Sequence, residues 1–303
     1  MKQNNKLIYL SIIISILLIC VIIYKLKYVE NINNFENENE NGKIAFLFLT
    51  YNNLKRSDIW DRFFDSKHSD KFTIYNHAKE PEKITDLLLK DKHISEHIET
   101  CWGCFGSVEA NLLMMKQALK DPLNKKFILV SDSCIPIVPF NTFYNEIMKD
   151  DKTKINVYNF ETHNSKDRYD NIINPNFPKN EFIKHSAQGL IFNRNHLELI
   201  VNSLLDYKDN WKNMNCVDEH YFANILRILD TNFNINNENI KITFDIYDKD
   251  NLKSKKEIII NPKHYALFKS ISNQVIDEIR DKKFLLIRKV NGNTEIDVEH
   301  LLN

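Results

Sequence analysis

Asp218, Glu219 and His220 stand side by side at the start of an apolar helical pattern, DEHYFANILRIL. Carboxylates there have two readings. Asp218 as N-cap and Glu219 in the first turn would satisfy the unpaired N–H groups and the helix field. Alternatively, one carboxylate projects into a crevice and takes a proton from a hydroxyl, which needs only hydrogen-bond reach. The helix field lowers the pKa of such a base, so burial has to offset it. Arg288 and Lys289 interrupt the otherwise apolar segment FLLIRKV. They either solvate a strand end or hold a diphosphate, Arg as a bidentate fork and Lys as a point charge. Asp132-Ser133-Cys134 follows the apolar run FILVS. An Asp-x-Asp pair there would hold Mg²⁺ or Mn²⁺ on a sugar nucleotide. The second carboxylate is missing, so the site suits a hard cation poorly and no metal is expected.

Cysteine chemistry is less defined. Cys101 and Cys104 have CxxC spacing, but no second close pair completes a structural zinc site. A redox CxxC opens a helix just after a strand, and no thioredoxin-like pattern surrounds this one. In an extracytoplasmic domain, one or two disulfides among Cys101, Cys104, Cys134 and Cys216 would form, with the pairing open.

These residues need elements to position them. Segments 43–51 (KIAFLFLTY) and 127–131 (FILVS) are continuous apolar runs, as in parallel strands covered on both faces. Residues 71–77 read as a further strand. Trp60, Phe63 and Phe64 fit one helical face. Residues 107–119 carry Val108, Leu112, Met115 and Leu119 near helical spacing, with Ser107 placed to cap. Residues 143–148 form another helix. Alternating strands and helices define an open α/β sheet, whose ligands lie at the C-terminal strand ends. This brings Thr50, Tyr51, His77 and residues 131–134 towards one crevice. Further on, the chain reads as a strand over 154–161, a long polar loop over 163–181 and a short strand within 182–192. Helices over 195–205, 218–229 and 270–280, strands over 240–247 and 284–290, and a loose tail from Asn291 complete it.

The 303 residues include 41 basic and 41 acidic side chains, so no basic excess marks a nucleic-acid partner. An apolar fraction of 43%, with 19 Phe and 12 Tyr, supports a real core. Only 5 Gly argue against glycine-rich phosphate loops. Residues 7–24 (LIYLSIIISILLICVIIY) carry no charge and have the length of a short membrane-spanning helix. No small-residue cleavage signal follows, which favours a retained anchor. The expected plan is a tail (1–6), a transmembrane anchor (7–24), a polar stem (25–42), a large domain (43–290) and a C-terminal tail (291–303). The absence of any N-x-Ser/Thr sequon runs against a conventional secretory lumen.

The motifs WGCFGSVEA (102–110), FILVSDSCIPI (127–137) and DEHYF (218–222) together resemble the core-2/I-branching β-1,6-N-acetylglucosaminyltransferase family, in its plant-type branch. FLFLTYNNL (46–54) and FLLIRKV (284–290) fit in the same order. The resemblance implies an α/β, GT-A-like fold, with a Rossmann-like nucleotide half and a mixed-sheet acceptor half behind one N-terminal transmembrane helix. It implies an inverting, metal-independent transfer of N-acetylglucosamine from a UDP-sugar to a glycan or glycoprotein acceptor. Alternatives are another donor such as UDP-xylose, or a non-catalytic glycan-binding relative. It also implies a single-pass type II protein of the Golgi or an equivalent secretory compartment, with the lipid bilayer as a partner. Glu219 falls on the family's base, and Arg288 with Lys289 on its diphosphate cluster. Thr50 and Tyr51 fall near the nucleotide, and Ser107 and Glu109 in the helix entry. His77 stands where the animal enzymes carry an Asp at the uridine. A Trp near Ile246 and an aromatic after Gln188 are missing from the pattern.

Overall fold

The computed structural model describes residues 17, 19–25, 27, 42–158, 165–173, 175, 177–203, 207–230, 232–234, 240–261 and 267–303. Contacts divide the chain into two units, Met1–Gly42 and Lys43–Asn303. In the first unit, residues 19–25 are helical. Among the described residues, no helix is long and apolar enough to cross a membrane. A span needs about 20 consecutive apolar helical residues. The expected transmembrane anchor, bilayer partner and single-pass type II placement are corrected on this finding. The remainder of segment 7–24, and most of the stem, lie outside the described residues.

In chain order the second unit comprises β1 (Lys43–Thr50), α1 (Ser57–Phe63), β2 (Phe72–Ala78), α2 (Phe105–Ala118), β3 (Asn124–Ser131), β4 (Ile135–Pro136), α3 (Phe140–Met148), β5 (Val157–Tyr158) and β6 (Lys184–His185). It continues through β7 (Ile191–Asn193), α4 (Arg194–Asn202), α5 (Tyr221–Leu229), β8 (Thr243–Asp245), β9 (Ile258–Asn261), β10 (Leu267–Ile271), α6 (Asn273–Asp281) and β11 (Leu286–Arg288). The main sheet has the order β2-β1-β3-β7. β1 is parallel to both β2 and β3, and β7 is antiparallel to β3. Its sidedness follows from the period-two alternation of a strand. Ile44, Phe46 and Phe48 enter one apolar cluster with Trp60, Phe63 and Phe143. Ala45 and Leu47 enter the other, with Val108, Leu112 and Met115 of α2. The Trp60 ring meets Phe48 edge-on at 5.0 Å and donates its Nε1–H to the Cys134 carbonyl at 3.0 Å.

A smaller sheet, β4-β11-β8, carries the C-terminal charges. β11 runs antiparallel to β4 and parallel to β8, and this register sets Arg288 beside Asp245. Several expectations shorten or change. The strand expected over 240–247 is three residues, because Asp245 caps a 3-10 turn, Ile246–Asn251, in a reciprocal capping box with Asp248. The expected polar loop contains a helical turn, Ser165–Tyr169. β9 and β10 pair as an antiparallel ribbon that the polar surroundings concealed. The tail from Asn291 is packed: Thr294 and Leu301 are buried, and Val298–Leu302 is helical.

Candidate active site

The helix expected from Asp218 is split in two. Val217–Glu219 forms a 3-10 turn, and α5 begins after it with His220 as its N-cap. Asp218 is therefore not the cap. Cys216 precedes the turn in the left-handed region, at φ 53°, which redirects the chain so that the two carboxylates follow a bend.

Glu219 is partly exposed and accepts a hydrogen bond from Arg168 Nη1 at 2.6 Å. Lys184 Nζ lies 3.7 Å from the same oxygen. Arg168 is steadied by His220, whose Nε2 accepts from Nη1 at 3.2 Å. The other ring nitrogen, Nδ1, then carries the proton and donates to the Ile183 carbonyl at 2.9 Å. Burial lowers the His220 pKa to about 2, and its ring stacks on Phe182 at 4.4 Å. His220 is thus a neutral, fixed support. Asp218 behaves differently from an ordinary carboxylate. Burial, and then the adjacent Glu219 charge, push its pKa up to about 6, against the pull of Arg288 and Arg168.

Across from this turn, Arg288 pairs with Asp245 at 3.3 Å. Burial opposes the Arg288 charge, but Asp245, Cys134, Tyr158 and Asp218 together hold its pKa above the usual value. Burial and then Arg288 push Lys289 down, while Asp245 and Glu219 oppose this. The Lys289 ammonium lies 5.2 Å from the ring centroid of Tyr247, a residue 66% exposed. Two adjacent, partly buried cations with a single paired carboxylate make a positive centre that an anion would relieve. Asp132 borders it. Burial raises its pKa, Lys55 counteracts this from 3.6 Å, and Arg288 contributes in the same direction as Lys55.

The other expected residues line the neighbouring strand ends. Thr50 is buried, with its hydroxyl 3.0 Å from the Asn52 carbonyl and 3.1 Å from Asn76 Oδ1. Tyr51 is exposed, its hydroxyl donating to Glu80. His77 is buried at the end of β2 and its Nε2 accepts from the Ile98 N–H at 3.0 Å. Its proton therefore sits on Nδ1, which has no hydrogen-bond partner among the described residues. Burial, and then His97 and His93, lower its pKa to about 4. Ser107 does not cap α2; Cys104 holds the N-cap position, and the Ser107 hydroxyl donates to the Cys101 carbonyl at 3.0 Å. The structure thus sets Glu219 against Arg168 and Lys184, and Arg288, followed by Lys289, against Asp245. Thr50 and His77 lie at the C-terminal ends of β1 and β2, Tyr51 just after β1, and Ser107 is engaged with the Cys101 loop.

Among the described residues, no group of three or more His, Cys, Asp or Glu is placed to hold a metal ion. A separate surface cavity lined by Asn53, Ser57, Asp61, Thr85, Asp86 and Leu87 carries two carboxylates and no cation. That is the wrong charge for a diphosphate. Arg168, Lys184 and Asp245 were not singled out from the sequence. Arg168 lies in the polar stretch read as a loop, and the role of Asp245 depends on the β8–β11 register.

In a largely parallel α/β sheet, ligands lie beyond the C-terminal strand ends, and here Asp132, just after β3, stands at that end. A family model described as Core-2/I-Branching enzyme matches residues 44–280. The chain belongs to the Core-2/I-Branching enzyme family, as its motifs indicate. It is also similar to the glycosyltransferase BC10 of Oryza sativa subsp. japonica, with 27% identity over 216 residues, covering 61% of this chain and 53% of that protein. The chain thus spans about half the length of that relative.

Proposed function

We propose that the protein is an inverting, metal-independent glycosyltransferase. It moves a sugar from a UDP-sugar to a hydroxyl of a glycan acceptor, with N-acetylglucosamine as the donor sugar that the resemblance implies. The observation that carries the reading is a pair of prepared charges, Glu219 held by Arg168 at 2.6 Å and Arg288 held by Asp245 at 3.3 Å next to Lys289. The acceptor oxygen attacks the anomeric carbon while the bond from that carbon to the UDP oxygen breaks on the opposite face. Glu219 takes the acceptor proton. The charge arriving on the diphosphate is met by Arg288 and Lys289, whose positions are set before the reaction. Arg168 and Lys184 partner Glu219. The acceptor hydroxyl replaces the Arg168 hydrogen bond as it binds. Family membership and the similarity to a plant glycosyltransferase support this assignment. Arg288 and Lys289 lie just beyond the matched residues, so their role rests on geometry.

The test is calorimetric titration with UDP, GDP, ATP and NAD in excess EDTA. UDP is expected to bind most tightly, without a metal. Tighter binding of ATP or NAD, or UDP binding that requires Mn²⁺, would defeat the proposal.

A further inference from the structure

Cys101 and Cys104 form a disulfide. Cys101 and Trp102 are exposed, Trp102 to 81%, and Cys104 is the N-cap of the 14-residue helix α2. The loop inside this disulfide touches the turn that carries Glu219. Gly103 has φ 69° and presses on Cys216 so closely that an added Cβ would lie 2.9 Å from the Cys216 nitrogen and 3.2 Å from its sulfur. The Val217 N–H donates to the Gly103 carbonyl at 3.3 Å, and the Glu219 N–H donates to the Cys216 carbonyl at 3.0 Å. An unbroken line of contact therefore runs from the disulfide through Gly103 and Cys216 to Glu219. Left-handed Cys216, an unfavourable conformation for a residue with a Cβ, depends on such surroundings.

We propose that the Cys101–Cys104 disulfide is a thiol–disulfide exchange site, and that its reduction by a dithiol unlatches the turn presenting Glu219. The structural part stands on the contacts alone; the effect on catalysis rests on Glu219 being the base. A reductant thiolate attacks the exposed Cys101 sulfur, the S–S bond breaks, and Cys104 leaves as a thiolate favoured by the N-terminus of α2. The second reductant thiol then displaces Cys101 and closes the reductant's own disulfide. Two electrons and two protons pass to the protein. The nearby Cys216 thiol is kept protonated by burial, Glu219 and Asp218, against Arg168 and Lys184. It serves as a packing surface rather than an exchange partner.

The experiment treats the full-length protein with dithiothreitol and traps thiols by alkylation. It follows amide exchange over residues 216–220 by mass spectrometry, alongside UDP affinity and sugar transfer. Reduction is expected to label Cys101 and Cys104 in the folded protein and to speed exchange over 216–220 by about tenfold, as a local opening does. Transfer should fall by about tenfold or more from misplacement of the base, with UDP affinity unchanged. Reoxidation should restore both. A Cys101→Ser/Cys104→Ser protein should exchange fast from the outset and ignore the dithiol. Failure of the dithiol to open the disulfide in the folded protein, or complete labelling with unchanged exchange over 216–220, would overturn the latch. Faster exchange in a protein that never transfers sugar would uphold the latch and count against the proposed function instead.

Discussion

β1 and β11 are both apolar strands of one unit, yet they carry different information. β1 has eight residues, is covered on both faces, and buries Ile44 to Phe48 completely. β11 has three residues in a narrow sheet and ends in a charged pair. A strand inside a wide parallel sheet has to be apolar throughout, so its role is visible in its composition. A strand at the edge of a site can end in charge if the neighbouring register supplies a partner, as Asp245 does for Arg288. The first kind of region bears on folding, and the second, under the proposed function, on binding.

Substitutions in the two regions should therefore separate stability from binding. Trp60→Ala removes an aromatic centre and the bond to the Cys134 carbonyl. It should cost about 3–5 kcal/mol in urea unfolding, the range for large core truncations, with UDP affinity of the remaining folded protein unchanged. Loss of UDP affinity at constant stability would blur the division. Removing Arg288 alone would strand Asp245 as a buried, unpaired carboxylate. The paired change Arg288→Met with Asp245→Asn avoids this and keeps the Asp245 capping position competent. It should weaken UDP binding by about 2 kcal/mol or more, as for a buried charged contact. Unchanged affinity in calorimetry would remove the cation centre from the nucleotide site.

Asp218 gives the smallest effect, with an unusual sign. Its folded pKa, about 6, lies above the ordinary carboxyl value of 3.8. The folded protein therefore holds this proton where the unfolded chain has released it, and the group loses stability as pH rises from about 4 to about 6. Asp218→Asn should accordingly raise stability by about 1 kcal/mol at pH 7.5, and the gain should vanish below pH 4. Denaturation at both pH values tests this; a loss at pH 7.5 would show that the Asp218 charge is well compensated.

The main sheet was legible because β1 and β3 announce themselves as uninterrupted apolar runs. The site was less so. Glu219 and Arg288 came from the resemblance of ordered motifs, since periodicity equally allowed a helix cap and a solvated strand end. Ser107 and Asp218 look like caps, but Cys104 and His220 occupy those positions. A single left-handed residue, Cys216, shifts the helix start, and no local propensity signals it. Arg168 and Lys184 reach Glu219 only through tertiary packing, 51 and 35 residues away in sequence. The packed tail is held by isolated burials such as Leu301 rather than by an amphipathic run. The apolar segment over 7–24 has the composition of a span, but no helix long and apolar enough is found among the described residues.

The central claim is that Glu219 is the general base, and Glu219→Gln tests it most directly. The amide keeps the shape and accepts a hydrogen bond from Arg168, but it cannot take a proton. Transfer from a UDP-sugar by this variant, measured beside UDP affinity, should show kcat reduced by about 10²-fold or more with UDP affinity nearly unchanged. Transfer at the unaltered rate would contradict the account and assign the proton to another group.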